Sequence, residues 1–140
     1  MASFIDSNIL IYAEASDAPA KQTQALKLLR NLKTSKQGVI STQVLQEYCN
    51  IALRKLRLGS SYIRMQLHAH EQFEVVQISP RMIQGALGLQ QTRRLSFYDA
   101  LIVYAAIVSG CTELYTEDLN TGEVIDRYRS PGSVHLVEIS

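Results

Sequence analysis

Short apolar runs alternate with longer stretches whose apolar residues recur at helical spacing, and the alternation continues along most of the chain. That pattern predicts an α/β domain built around a parallel sheet. Residues 2–6 form the first buried strand, and SNILIYAEA then turns into a helix. PAKQTQALKLLRNLK (19–33) opens with Pro and carries Ala25, Leu28, Leu29 and Leu32 at helical spacing. GVIS (38–41) is a second strand, followed by a helix over 42–56 with Leu45, Tyr48, Cys49, Ala52, Leu53 and Leu56 on one stripe. A helix over 60–72 precedes FEVVQIS (73–79), the third strand. Pro80 opens a helix that runs to about residue 92. Residues 96–109 form a very apolar helix that Gly110 stops. ELYT (113–116) and VHLVEI (134–139) are the last two strands, and the polar stretch 119–133 between them is expected to be loop with at most one helical turn.

Composition narrows the classes. With 140 residues, 46% of them hydrophobic, the chain fits one domain spanning 1–140 with a single core. Charged residues make up 19%, too few for a disordered chain, and neither a repeat nor a low-complexity run occurs. A net charge of +1 does not demand a strong electrostatic grip on nucleic acid, although a local basic patch is compatible with it. No apolar run approaches the roughly 20 residues of a membrane helix. The start of the chain lacks the pattern of a signal peptide. Cys49 and Cys111 are widely separated and form no CxxC pair, so reduced, buried thiols and a cytoplasmic location are expected.

Charge placed among apolar residues marks the candidate chemistry. Asp6 sits inside ASFIDSNILIYA, at the end of the first strand, where an uncompensated carboxylate would cost several kcal/mol. In open parallel sheets, sites lie beyond the carboxyl ends of the strands. A helix N-cap is the competing reading for Asp6. Asp99 is the only charge in SFYDALIVYAAIVSG, a helix apolar on all sides. Ser96 and Asp99 also have the spacing of a capping box, which would explain Asp99 alone but not Asp6 as well. Glu47 lies at the edge of its apolar arc beside Val44 and Ile51, where a solvated rim residue is the simpler reading. Glu117 and Asp118 follow the fourth strand, as acidic residues before a turn often do.

Together, Asp6, Asp99 and Asp118 converge on one edge of the sheet, and Glu47 can reach it. Converging like charges persist where a cation sits among them. Carboxylates without His or Cys suit Mg2+ or Mn2+, and such a site can activate water for displacement at a phosphodiester. The histidines do not compete: His68 and His70 point to different helix faces, and His135 sits in the last strand. No Gly-rich phosphate loop occurs. Arg93 and Arg94, before the Asp99 helix, and Arg54, Lys55 and Arg57, after Glu47, are candidate contacts for a phosphate backbone. For the second group, cations at a helix C-terminus are the stronger explanation.

The ordered stretches FIDSNILIYA, ISTQVLQEYCN, LSFYDALIVYAA and LYTEDLNTGEVID resemble the PIN-domain ribonucleases, and among them the VapC-type toxins of bacterial toxin–antitoxin pairs. The resemblance implies a PIN-like three-layer α/β/α sandwich with a central, mainly parallel sheet. It implies a Mg2+- or Mn2+-dependent endoribonuclease with catalytic acids at Asp6, Glu47, Asp99 and Asp118, the metal falling to Asp6, Asp99 and Asp118. Ser7, Asn8 and Thr116 match the family's supporting polar residues. RNA substrate, a cognate antitoxin and a homodimer are the partners it implies. The final RSPGSVHLVEIS departs from the Asn-Pro-Phe-like ending of close relatives. The alternative is a catalytically silent binding module of the same fold. Receiver and haloacid-type hydrolase folds fit poorly, because Asp6 is followed by Ser-Asn and Asp99 lies within a helix.

Overall fold

The computed structural model describes residues 2–15, 17–117, 124–126 and 133–137. Its elements are β1 (Ser3–Ile5), α1 (Ser7–Tyr12), α2 (Pro19–Ser35), β2 (Gly38–Ser41), α3 (Thr42–Arg54) and α4 (Ser60–His70). They continue with β3 (Glu74–Val76), α5 (Pro80–Thr92), α6 (Phe97–Val108), β4 (Glu113–Tyr115), β5 (Val124–Asp126) and β6 (Ser133–Val137). The strand order is β3-β2-β1-β4-β6-β5. Strands β3, β2, β1, β4 and β6 run parallel, and β5 adds an antiparallel edge against β6.

β5 corrects the expectation of loop over 119–133. A three-residue strand is too short for its alternation to register, and the polar residues around it mask the signal. The other residues of that stretch lie outside those described. α1 also ends earlier than expected, at Tyr12, with Ala13 as its C-cap.

Register explains the core. Phe4 pairs with Val39 on one side and Leu114 on the other, and Leu114 pairs with Leu136. These four form a buried row across the sheet. Every residue of β1 and β2 is buried, as expected for inner strands of a parallel sheet covered on both faces. The chain steps from β1 to β2 to β3 in one direction, then returns through α5 and α6 to β4 on the far side of β1. Right-handed crossovers therefore place α1–α4 over one face and α5–α6 over the other. α6 buries seven apolar side chains, from Ala100 to Ile107. Gly110 ends it at φ +80, with Gly110 N–H donating to Ile107 O and Cys111 N–H to Ala106 O. Among the described residues no helix is long and apolar enough to cross a membrane.

A second buried polar group lies under α4. The Tyr48 hydroxyl donates to Glu14 Oε1 at 2.6 Å, and the Tyr48 and His70 rings meet edge to face at 4.8 Å. Both His70 nitrogens are buried without a hydrogen-bond partner. Burial first, and the Lys33 ammonium second, push the His70 imidazole from 6.5 down to about 4. Burial pushes the Glu14 carboxyl up, against the Tyr48 hydrogen bond.

The His70 shift fixes a pH dependence. Between pH 6.5 and 4 the unfolded chain binds a proton at His70 that the folded chain refuses, so stability falls as pH falls. The shift of 6.5 minus 4 corresponds to a loss of up to about 3 kcal/mol. Glu14 acts in the opposite sense, since a raised carboxyl favours the folded state on the acid side of its own transition. Urea unfolding of His70→Phe at pH 7 and pH 4.5 is expected to show a smaller acid loss than wild type. An equal loss would assign the acid sensitivity to other groups.

Candidate active site

Asp6 leaves β1 in an extended conformation and caps α1. Its Oδ1 accepts the Ser7 N–H at 2.7 Å, and its Oδ2 accepts the Thr116 hydroxyl at 2.8 Å. Asp6 is 4% exposed and Thr116 1%. Asp6 is thus the N-cap of α1, and the same carboxylate also lines a cavity. Thr116 follows β4, the neighbour of β1, and the connections from these two strands lead to opposite sides of the sheet. That is a topological switch point, where the crevice beyond the strand ends admits a ligand.

Glu47 is half-buried, not a solvated rim residue. Its Oε1 accepts the Ser7 hydroxyl at 3.1 Å, and its Oε2 accepts Gln43 Nε2 at 3.3 Å. The Ser7 oxygen also lies 3.4 Å from Asp6 Oδ1, so one hydroxyl proton stands between two carboxylates. Ser41 caps α3 through the Val44 N–H and so sets the helical phase that turns Glu47 inward.

Asp99 occupies the first turn of α6, where the Ser96 hydroxyl oxygen accepts its N–H at 3.1 Å. The Ser96 half of the capping box is therefore formed. The side chain nevertheless lines the same cavity as Asp6 and Glu47. That cavity measures roughly 270 Å³, with Ser7 and Asn50 as further polar lining and Ile51 and Ile102 as apolar wall. Gln43 and Asn50 were not singled out from the sequence; they stand four residues before and three after Glu47, on its face of α3.

The remaining candidates divide. Asn8 does not line the cavity, and both its amide atoms are buried without a hydrogen-bond partner. Asp118 lies outside the described residues. Glu117 is turned toward α1 and α2, where Lys21 Nζ stands 2.9 Å from Oε2 and the Tyr12 hydroxyl donates to the same oxygen. Burial alone would raise the Glu117 carboxyl, but the Tyr12 and Lys21 hydrogen bonds hold it below the usual carboxylate range. Arg93 caps the C-terminus of α5, with Arg94 beside it. Arg54 closes α3 and Lys55 is its C-cap, so the dipole explanation of these cations fits their placement. None of the four lines the cavity. Arg54 follows Glu47 by two turns, about 10 Å along nearly the same helix face.

The donor set of the cavity is hard oxygen. Among the described residues His68 is exposed, His70 belongs to the Tyr48 cluster and His135 faces out of β6. Among the same residues no three His, Cys, Asp or Glu side chains come close enough to hold a metal ion between them. Mg2+ does not require three, because it commonly keeps several waters and takes one or two carboxylates plus substrate phosphate. The chemistry of Asp6 and Asp99 fits such an ion.

The PIN domain family model matches residues 3–126. A search of curated proteins finds no match. Among solved structures, a DNA-bound VapBC of Salmonella typhimurium is similar at 16% identity and a TM-score of 0.68, over 100% of this chain and 99% of that one. A toxin–antitoxin complex from Klebsiella pneumoniae is similar at 23% identity and 0.63, over 84% and 87% of the two chains. A Mycobacterium tuberculosis VapC described as a Sarcin-Ricin loop cleaving toxin is similar at 21% identity and 0.63, over 84% and 90%.

The Thr116–Asp6 hydrogen bond is buried and charge-assisted, so its loss has a measurable effect. Thr116→Val keeps the shape and removes the donor, and is expected to lower unfolding stability by about 1–3 kcal/mol. Urea denaturation at pH 7 checks this. A midpoint equal to wild type would show that Thr116 contributes nothing to holding Asp6.

Proposed function

Because the chain belongs to the PIN domain family, we propose that it is a Mg2+- or Mn2+-dependent endoribonuclease, the toxin of a toxin–antitoxin pair. The observation that carries this reading is the convergence of Asp6, Glu47 and Asp99 on one cavity at the switch point of the sheet. Asp6 and Asp99 would hold the ion, with Asp118 as the further ligand that the family motif supplies. When bound, the ion neutralises charge on the phosphate and lowers the pKa of a water molecule.

The chain's own residues do the rest. Ser7 and Thr116 orient Asp6, leaving its carboxylate directed and charged. Glu47, held by Ser7 on one oxygen and Gln43 on the other, would accept a proton from water attacking phosphorus. Ile51 and Ile102 exclude bulk water from one wall. Arg93 and Arg94 lead into α6 and would hold the RNA backbone, with Arg54 and Lys55 further along α3.

The similar structures that are toxin–antitoxin complexes support a cognate antitoxin as partner; a homodimer and action in the cytoplasm are further parts of the proposal. The second reading, a silent PIN-fold binding module, keeps the acids and lacks turnover. A nuclease assay separates the two.

Cleavage of single-stranded or loop RNA is expected with Mg2+ or Mn2+ and lost with EDTA; activity surviving exhaustive chelation would sink the metal mechanism. Asp6→Asn and Asp99→Asn are each expected to abolish turnover, since an amide cannot neutralise the cation. Glu117→Gln is expected to retain most activity, because Glu117 faces Lys21 and Tyr12, whereas Asp118→Asn loses it. The reverse order would relocate the fourth carboxylate. Expression without a partner is expected to slow host growth, relieved by Asp6→Asn; normal growth with active soluble protein would remove the toxin role.

A further inference from the structure

We infer that Gln43 is a positioning residue of this site, its side-chain amide fixing Glu47 of α3 against the first turn of α6. The inference rests on the nuclease reading for its kinetic consequence, but the contact itself does not. Gln43 is 4% exposed. Its Nε2 lies 3.3 Å from Glu47 Oε2 and 3.1 Å from the backbone oxygen of Tyr98, the residue before Asp99. Both partners are acceptors, so the two amide hydrogens are each used and the orientation of the amide is determined. The flipped amide would set Oε1 against a carboxylate and a carbonyl.

Burying an amide here has a cost that packing alone does not explain. Gln43 Oε1 is buried without a hydrogen-bond partner, and an orphaned acceptor is destabilising. Leu or Met at this place would fill the same space without it. What the amide provides is a bond between two helices that follow different strands and carry different acids. Glu47 comes from α3, after β2, and Asp99 from α6, which leads to β4. Ser7 holds one oxygen of Glu47 from α1, and Gln43 holds the other and ties it to α6. Gln43 does not line the cavity, so it acts on the reaction through Glu47 and not by touching substrate.

The experiment compares wild type with Gln43→Met, which keeps length and removes the donor. At saturating Mn2+, kcat on an oligoribonucleotide is expected to fall about tenfold, as for other partners behind a reacting carboxylate, with KM unchanged. Thermal melting shows that the variant is folded. A folded variant with wild-type kcat, or one whose loss lies in KM, would overturn the inference. A second measurement is independent of activity. In 15N-labelled protein the Gln43 side-chain amide pair, identified by its disappearance in Gln43→Met, is expected to shift in Glu47→Gln. An amide pair insensitive to Glu47→Gln would overturn the contact even if the wild type cleaves RNA. Wild-type protein with no RNA cleavage would refute the nuclease reading, while the amide shift would still decide the contact.

Discussion

A carboxylate buried at the end of an inner strand must be matched by donors, or the strand end cannot close around it. Asp6 meets that condition with the Ser7 N–H on one oxygen and the Thr116 hydroxyl on the other. Each donor comes from a different consequence of the fold. The Ser7 N–H is available because α1 starts there, and Thr116 is beside Asp6 because β4 pairs with β1. Exchange the neighbours of β1 and the second donor would disappear.

The rest of the site is arranged around that fixed point. Ser7 caps nothing beyond its own position, yet its hydroxyl spans from Asp6 to Glu47 and so relates α3 to β1. Gln43 then relates α3 to α6. Three acids from three separate segments therefore share one cavity, with Ser7 joining Asp6 to Glu47 and Gln43 joining Glu47 to the α6 backbone beside Asp99. Ser7 and Gln43, being neutral, do not themselves cancel the charge of the carboxylates they hold.

Much of this was legible in the sequence, and the exceptions have physical causes. Six helices and five parallel strands follow from apolar spacing, since long periodic segments leave little choice of element. β5 leaves no mark in the sequence pattern because three residues cannot display a period. Asp6 stood out because it breaks an apolar run, and Asp99 because it is the lone charge on an apolar helix. Glu47 stood at the margin of its arc, and sequence gave no means to see Ser7 approaching from a segment 40 positions away. Gln43 is hidden in the sequence for a related reason: an amide at a helix start resembles ordinary surface, and its burial depends on α6 covering it.

Two buried polar groups in one molecule show what separates a site from a structural cluster. Glu14 and His70 share a pocket wall, but Glu14 receives one hydroxyl donor and His70 none. Burial accordingly drives both toward their neutral forms, Glu14 by retaining a proton and His70 by refusing one. These two groups pack against Tyr48, away from the acids of the cavity. Asp6 is as deeply buried as His70, yet it sits where a helix start and a neighbouring strand end supply donors. Burial alone thus does not distinguish the two; the supply of donors does, and the switch point of a parallel sheet is where backbone and side-chain donors gather.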